Sequence, residues 1–232
     1  MNTSASTSTP GGNVFDNWRS ITTALVMALV GYSVMVSVPV LSTAWVGLLG
    51  FTEEQVGRVA GADLGGLSVG AIFAALFVAK VNRRLLVVFG LALSIVGNGL
   101  CIVFVEYEQV LWLRVVAGFG SGIFTSIAVV TLGGTTKPVR AFNYLLLGFA
   151  FSTALELHLL PQFSMSGIYV FFIALNVICL MLTPWLPSRP LTEQEQADVQ
   201  AMQEDVADWK VPRIVPMICL VAVGFTYINI GG

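Results

Sequence analysis

The feature that most constrains this chain is a series of long apolar runs separated by short polar breaks. A helix needs about 20 mainly apolar residues to cross the hydrocarbon core of a bilayer. The runs that reach this length are Ile21–Val46, Arg58–Val78, Leu85–Val105, Val110–Leu132, Ala141–Leu160 and Gly167–Leu186. A further run starts near Ile214 and reaches Gly232. We therefore predict six complete membrane-spanning helices and the start of a seventh.

The composition agrees with lipid as the main solvent. Hydrophobic residues make up 56% of the chain and charged residues only 10%, whereas soluble domains carry about 25% charged residues. Only helices and closed barrels satisfy their backbone groups inside a membrane, and barrel strands alternate apolar and polar residues. Because runs such as Leu85–Leu93 do not alternate, we predict an all-α polytopic membrane protein.

Basic residues predict how the helices are oriented. Short breaks between the runs make neighbouring helices antiparallel, and cytoplasmic loops of membrane proteins are rich in Lys and Arg. With the N-terminus in the cytoplasm, only Arg58 lies outside and Arg114 lies within a span. The other basic residues are then cytoplasmic: Arg19, Lys80, Arg83, Arg84, Lys137, Arg140, Arg189, Lys210 and Arg213. We predict a multi-pass protein of the cell (inner) membrane.

These boundaries divide the chain into four parts. Residues 1–20 are a polar cytoplasmic tail without the basic and apolar regions of a signal peptide, and residues 21–187 are the six-helix bundle. Residues 188–213 form a charged cytoplasmic linker, in which Thr192 and Glu195 have the spacing of a capping box that starts an amphipathic helix. Residues 214–232 are the truncated seventh helix.

Several classes of function find no support in the sequence. A net charge of −2 does not favour a nucleic-acid partner. No ATP-binding, zinc-protease or Cys-x-x-Cys pattern occurs, so we predict no enzyme, cofactor or metal site. The segment Gly66–Gly70 fits the nucleophile pattern G-x-S-x-G, but that motif requires a strand-to-helix turn, and Ser68 lies inside an apolar run. Cys101, Cys179 and Cys219 are interpreted as buried apolar residues.

Local motifs resemble those of the major facilitator superfamily of transporters. The loop after the second run is Ala75-Leu-Phe-Val-Ala79-Lys80-Val-Asn82-Arg83-Arg84, which is similar to the family's G-x-L-A-D-R-x-G-R-K loop. The basic positions match, whereas Ala79 replaces the family's Asp, and Ala75 and Asn82 replace its glycines. The segment Arg114–Gly122 resembles the family's R-x-x-Q-G-x-G-A pattern, with Ala117 in place of Gln. The outer loop Phe51–Gly57 and the layout of helices also resemble the family.

This resemblance implies a six-helix N-terminal bundle of a larger transporter. Family members have two six-helix halves that bind substrate between them, so it implies three partners: a small-molecule solute, the lipid bilayer and a missing C-terminal half. It also implies that Lys80, Arg83 and Arg84 contribute to cytoplasmic gating. Fixing the topology alone is an equally good explanation of these three basic residues.

Ionisable residues inside the predicted spans are the main candidates for a functional site, because charges there are expensive. Asp63, Arg114, Glu156 and His158 are all predicted within about 3–8 Å of the outer boundary. We predict that Arg114 pairs with a carboxylate, with Glu156 as the first choice and Asp63 as the second. Residues this close to the interface also reach water directly, and for His158 that explanation is the better one.

Weaker candidates are polar groups predicted to face a pore. They are Tyr32, Ser37, Ser121 and Thr125; hydroxyls in lipid also bond to their own helix carbonyls. We predict a secondary active transporter that moves a small solute by alternating access, with a proton gradient as the candidate energy source. The alternative is a non-transporting membrane fragment or scaffold that binds partner helices, and an intramembrane enzyme is a distant third.

Overall fold

The apolar runs form seven helices in the computed structural model, which describes residues 14–78 and 80–188. They are α1 (Trp18–Val36), α2 (Val38–Leu49), α3 (Glu53–Phe77), α4 (Arg83–Val103), α5 (Tyr107–Gly133), α6 (Pro138–Leu159) and α7 (Met165–Leu182). Six segments are long and apolar enough to cross a membrane, and α2 is the shorter exception. The described residues contain no strand, so the all-α prediction is confirmed. The predicted linker helix and seventh span lie outside the described residues.

The first predicted span, Ile21–Val46, is divided in the structure. Helix α1 ends at Val36 and α2 begins at Val38, with Ser37 between them. Pro39 explains the division, because proline has no N–H for the carbonyl four residues earlier and its ring crowds that carbonyl. The expectation of one continuous span was therefore wrong at this point, and we call Ser37 the α1–α2 junction.

The helices begin earlier than their apolar runs, and for α3 and α5 the additional residues form a polar first turn. Helix α3 begins at Glu53 because Thr52 and Gln55 form a capping box, in which the Gln55 N–H bonds to Thr52 Oγ1 at 3.2 Å and the Thr52 N–H to Gln55 Oε1 at 3.0 Å. Helix α5 begins at Tyr107 rather than at Val110. Both helices thus carry a polar first turn that an apolar-run criterion omits.

Helix α5 is the centre of the bundle. It packs against α1, α3 and α4 and is the most buried of the candidate spans. Its contact with α3 is a direct approach of the two backbones, because a Cβ atom at Gly118 would collide with the Asp63 carbonyl oxygen and one at Gly122 with the Leu67 carbonyl oxygen. Small residues permit such close helix packing in membranes.

The apolar interior is divided into two cores at opposite ends of the bundle. The first lies towards the end that carries the N-terminus and includes Met27, Leu91, Ile123, Phe124 and Leu132. The second lies towards the other end and includes Trp45, Val59, Cys101, Val110 and Tyr169. Five buried polar residues of α3, α4 and α5 fall between these two cores: Asp63, Ser94, Asn98, Arg114 and Ser121.

Two surfaces of the bundle have little packed against them. Helix α6 is the least buried of the candidate spans, and it contacts α1 more extensively than α5. On α3 the residues Gly57, Gly61 and Gly65 recur every four residues, and nothing lies within 4 Å of a Cβ built at any of them. We call these three residues the open glycine face of α3.

Candidate functional site

Arg114 is the centre of a polar layer between the two apolar cores. Its Nη2 atom lies 2.8 Å from Asp63 Oδ2, and its Nη1 atom donates to Asn98 Oδ1, also at 2.8 Å. The Arg114 residue is 1% exposed and Asp63 5%. Hydrogen bonds between ionised groups are roughly twice as strong as neutral ones. This arrangement joins α3, α4 and α5 through one guanidinium.

Two further hydrogen bonds extend the layer along α4 and back to α5. Asn98 Nδ2 donates to the Ser94 carbonyl oxygen at 2.8 Å, and the hydroxyls of Ser94 and Ser121 lie 3.3 Å apart. Ser121, predicted to face a pore, is therefore placed against α4 inside the bundle and is buried. The layer consists of Asp63, Ser94, Asn98, Arg114 and Ser121.

The ion pair in this layer is not fully satisfied by protein atoms. Asp63 Oδ1 and Arg114 Nε are buried and have no hydrogen-bond partner among the described residues. Desolvating two charges is expensive, and a buried ion pair compensates for that only when its remaining polar atoms are also bonded. The pair therefore contributes little to stability, and we regard it as a candidate functional site.

Glu156, the first predicted partner of Arg114, lies elsewhere. Its Oε2 atom accepts a hydrogen bond from Ser37 Oγ at 2.5 Å, while the ion pair of Arg114 is with Asp63. The predicted order of partners was therefore wrong, and the second choice is the one observed. The physical reason is helix placement: Glu156 faces the α1–α2 junction, whereas Arg114 faces α3 and α4.

The positions of these groups along their helices are as follows. Asp63 lies ten residues after Glu53 and Arg114 seven residues after Tyr107. At 1.5 Å per residue, they are about 15 Å and about 10 Å from their helix starts. Glu156 lies three residues before the end of α6, about 4.5 Å away. Asp63 and Arg114 thus lie further inside their helices than the apolar runs implied, because α3 and α5 have additional first turns. The predicted common level relative to the outer boundary stays a prediction.

The remaining intramembrane candidates are dispersed. Thr125 is 2% exposed and packs against α1, because a Cβ atom at Gly31 would collide with its hydroxyl. Tyr32 is half-buried, with its ring centroid 5.6 Å from that of Phe149 on α6. His158 is exposed and makes no ion pair among the described residues. Among the described residues, none of the three has a hydrogen bond to a member of the polar layer.

The predicted gating residues lie at the end of the bundle that carries the N-terminus. Lys80 is exposed, and Arg84 Nε donates to the Leu186 carbonyl oxygen at 2.7 Å. Arg83 is 1% exposed, with its guanidinium carbon 5.1 Å from the centroid of the Phe15 ring. This distance is typical of a cation–π interaction, so Arg83 is engaged by the segment that precedes α1.

That segment contacts two loops at once and was not identified from the sequence. The Phe15 ring packs against Gly134, where a Cβ atom would lie 3.1 Å from it. Asp16 Oδ1 accepts from the Thr136 backbone N–H at 2.9 Å. We call residues Val14–Asp16, which form a 3-10 turn, the N-terminal clasp. Its only signal in the sequence is an aromatic residue and an acid placed just before an apolar run.

Ser94 and Asn98 were also missed, and here the sequence offered a clear signal. Both lie inside the apolar run Leu85–Val105, and an amide in the middle of a span is costly unless it is bonded. Ser68, the centre of the discounted nucleophile pattern, lies within α3 and donates to the Leu64 carbonyl oxygen at 2.9 Å. No cluster of three His, Cys, Asp or Glu side chains with metal-binding geometry occurs among residues 14–78 and 80–188.

Comparisons with known proteins complete the description of the site. A family model described as Major Facilitator Superfamily matches residues 23–231. This range includes every residue of the polar layer, the α1–α2 junction and Glu156. No curated protein matches the sequence.

Proposed function

Because the chain belongs to the Major Facilitator Superfamily, a family of membrane transporters, we propose that it moves a small solute across the membrane by alternating access. The observation that carries this proposal is the set of ionisable groups buried inside predicted spans: Asp63, Arg114 and Glu156. Such groups are costly in a membrane and are associated with substrate or ion pathways. A helical bundle that only needs to be stable gains little from an incompletely bonded ion pair.

A proton gradient is the proposed energy source. Two carboxyl groups are buried within the described spans, and they have different surroundings: Asp63 is paired with Arg114, whereas Glu156 is bonded only to a hydroxyl. A group that carries a transported proton must exist in both protonation states during the cycle. A carboxyl without a cationic partner meets that requirement with the smaller change in its surroundings, since no ion pair has to be broken.

The open surfaces support a second helical half as the partner. The open glycine face of α3 and the exposed side of α6 lie on helices whose other sides are packed. Lipid chains do not require a row of small residues on the helix that they cover, whereas another helix can approach such a row closely. We propose that a C-terminal half covers these faces and that the solute binds between the two halves.

We propose that the protein lies in the cell (inner) membrane and that the basic end of the bundle faces the cytoplasm. The N-terminal clasp, Arg83 and Arg84 all lie at this end. Positive residues are retained on the cytoplasmic side during insertion. Because Arg83 is buried under Phe15 while Lys80 is exposed, gating by this loop is proposed for Arg83 and Arg84 rather than for Lys80.

The test is flux through sealed vesicles that contain the full-length gene product. A proton gradient is imposed, pools of anionic, cationic and neutral solutes are added, and the internal pH is followed with an entrapped dye. We expect one pool to change the internal pH faster in vesicles with the unmodified protein than in vesicles with Glu156→Gln protein, whose side chain cannot carry a proton at that position. Folded protein that gives no solute-dependent pH change would contradict the proton gradient as energy source. Folded protein that also takes up none of the solutes themselves, with or without a gradient, would favour the alternative of a non-transporting scaffold.

A further inference from the structure

Glu156 combines deep burial with a position near a helix end. The residue is 4% exposed, whereas Leu157 and His158, which follow it on α6, are exposed. It lies three residues before the end of α6, so about 4.5 Å separates it from the helix terminus. Because its neighbours Leu157 and His158 already lie at the surface, a small displacement of α6 would bring the carboxyl group to the surface of the bundle as well.

The contact of Glu156 with Ser37 is special for α6. Among the described residues, it is the only side-chain hydrogen bond between α6 and another helix. The other side-chain hydrogen bonds of α6 stay within α6 or reach the turn that follows it. Ser37 is itself fully buried and forms the α1–α2 junction. The remaining attachment of α6 is apolar, such as Tyr32 with Phe149 and Leu29 with Gly148.

No cation compensates the Glu156 carboxyl group within the described residues. On α1 the titratable residue nearest to Ser37 in sequence is Tyr32. Its ring packs on Phe149, which lies two helical turns from Glu156 on α6. Helix α2 and the turn after α6 have no titratable residue. At this end of α5, Glu108 is exposed and Arg114 is bonded to Asp63. On α6 itself, His158 is exposed.

The other titratable group at this end of α5 is also directed elsewhere. The ring of Tyr107 packs edge-on against Phe51, with ring centroids 5.8 Å apart. Glu156 is thus a buried carboxyl group whose one described polar partner is a hydroxyl. Burying an ionised carboxylate with a single hydrogen bond is far more expensive than burying the neutral acid.

We propose that Glu156 is a proton-binding site and that the bound proton keeps α6 attached to the α1–α2 junction. In the attached state the carboxyl group is protonated at Oε1, while Oε2 accepts a hydrogen bond from the Ser37 hydroxyl. When α6 separates, water reaches the carboxyl group, the proton passes from Oε1 to water, and the carboxylate is hydrated. Rebinding a proton from water restores the neutral acid and allows α6 to pack again.

Ser37 is a positioning residue in this scheme. Its hydroxyl fixes the carboxyl group at the point where α1 and α2 meet, so that α6 and the junction move together. The link between this movement and solute flux rests on the proposed function, whereas proton binding and helix separation do not. The two proposals can therefore fail independently.

The test measures the distance between α6 and α2 without any solute. Spin labels are placed at the exposed positions Thr43 on α2 and Phe151 on α6 of the full chain in lipid nanodiscs, with the native cysteines replaced by serine. We expect a longer distance in alkaline than in acidic buffer. Glu156→Gln, which mimics the neutral acid, should hold the short distance in both buffers. A control pair at Ile72 on α3 and Val96 on α4, both exposed, should not respond to pH.

Infrared difference spectra identify the group that titrates. A carboxylic-acid C=O band should be present in acidic buffer, lost in alkaline buffer and absent from Glu156→Gln. The band should shift in Ser37→Ala, which lacks the hydroxyl donor, and return in Ser37→Thr. The proposal is overturned if the label distance of the unmodified sequence is independent of pH, if Glu156→Gln follows pH as the unmodified sequence does, or if no band is assigned to Glu156.

Discussion

The buried ion pair between Arg114 and Asp63 determines how this region tolerates substitution. Each charge is compensated mainly by the other, so removing one leaves an unpaired charge between two apolar cores. The neutral Asn98 does not replace the missing charge. The layer should therefore respond as a unit rather than residue by residue.

A double-mutant cycle tests this coupling. Arg114→Leu and Asp63→Leu should each lower the melting temperature of the purified chain strongly, because losing one partner of a buried pair costs about 3–5 kcal/mol. The double substitution should recover much of that loss, since no charge is left unpaired. Arg114→Leu combined with Glu156→Leu is the control, and there the two effects should add. Additive losses in the Arg114 and Asp63 cycle would show that the two residues do not interact.

The contact between Phe15 of the N-terminal clasp and Arg83 leads to a prediction about stability. Phe15→Leu keeps an apolar side chain but removes the aromatic face under Arg83, and a cation–π contact is worth about 0.5–2 kcal/mol. Phe15→Ala also removes the packing against Gly134 and should destabilise more. Both are measured as melting temperatures, with Phe151→Leu, an exposed position, as the matched control. Equal values for Phe15→Leu and the unmodified sequence would remove the cation–π role.

At the scale of elements, the glycines of α5 and those of the open glycine face of α3 have different surroundings. Gly122 contacts the α3 backbone, whereas Gly61 has nothing within 4 Å of a built Cβ. Gly122→Ala should therefore force α3 and α5 apart and cost about 1–3 kcal/mol. Gly61→Ala should be neutral or slightly stabilising in the isolated chain, because alanine favours helix. Thermal unfolding of both variants measures the difference, and equal destabilisation would contradict the packing described.

The orientation of the elements is tested by reporter fusions. A reporter active only in the cytoplasm should be active when it is inserted into the α3–α4 loop and inactive between α4 and α5. The reason is the basic character of the first loop, which holds Lys80, and the acidic character of the second, which holds Glu106. Export of the α3–α4 loop would reverse the proposed orientation.

The helices were predictable from the sequence because apolar length alone identifies a span. Their exact bounds were less so. The division at Ser37 had a signal, Pro39, which is hidden inside an apolar run, and the early start of α3 had a signal in the Thr52–Gln55 pair. Reading caps and prolines as well as hydropathy would have found both.

The candidate site was less predictable than the helices. The residues that are costly in a membrane, Asp63, Arg114 and Glu156, were identified, because that cost is a property of the residue type. The partner of Arg114 was not, since it depends on which helix faces which, and the short loops of this chain permit several arrangements. Ser37 was a weak candidate for a pore and is bonded instead to Glu156.

At the scale of the whole molecule, family membership confirms the predicted resemblance and a transport role in general. The bundle is unevenly built, with α5 surrounded by other helices and α6 attached along one side. The open glycine face and α6 are the surfaces on which a second half is proposed to act.

This unevenness predicts the behaviour of the isolated chain. Without a partner half, we expect it to self-associate in detergent or to be cleaved readily near α6, because its open faces lack the contacts that a second half would provide. Size-exclusion chromatography with light scattering measures the association, and limited proteolysis measures the cleavage. Gly61→Leu should reduce association by blocking close helix approach. A chain that stays monodisperse and protease-resistant would contradict the proposed partner half.

The placement of Asp63 and Arg114 on different helices has a consequence for biogenesis. The two residues are 51 positions apart in the chain, so at roughly 5–20 residues per second the ribosome delivers the arginine about 3–10 s after the carboxyl group. During that interval α3 and α4 are at the translocon, and the side chains of Asp63 and Asn98 lack Arg114 as their partner. Inserting the Asp63 charge without that partner costs up to about 2.5–3.5 kcal/mol on insertion scales. Release of the first helices into the bilayer is therefore favoured only after α5 has emerged, which makes α5 the helix whose arrival commits the nascent chain to its fold.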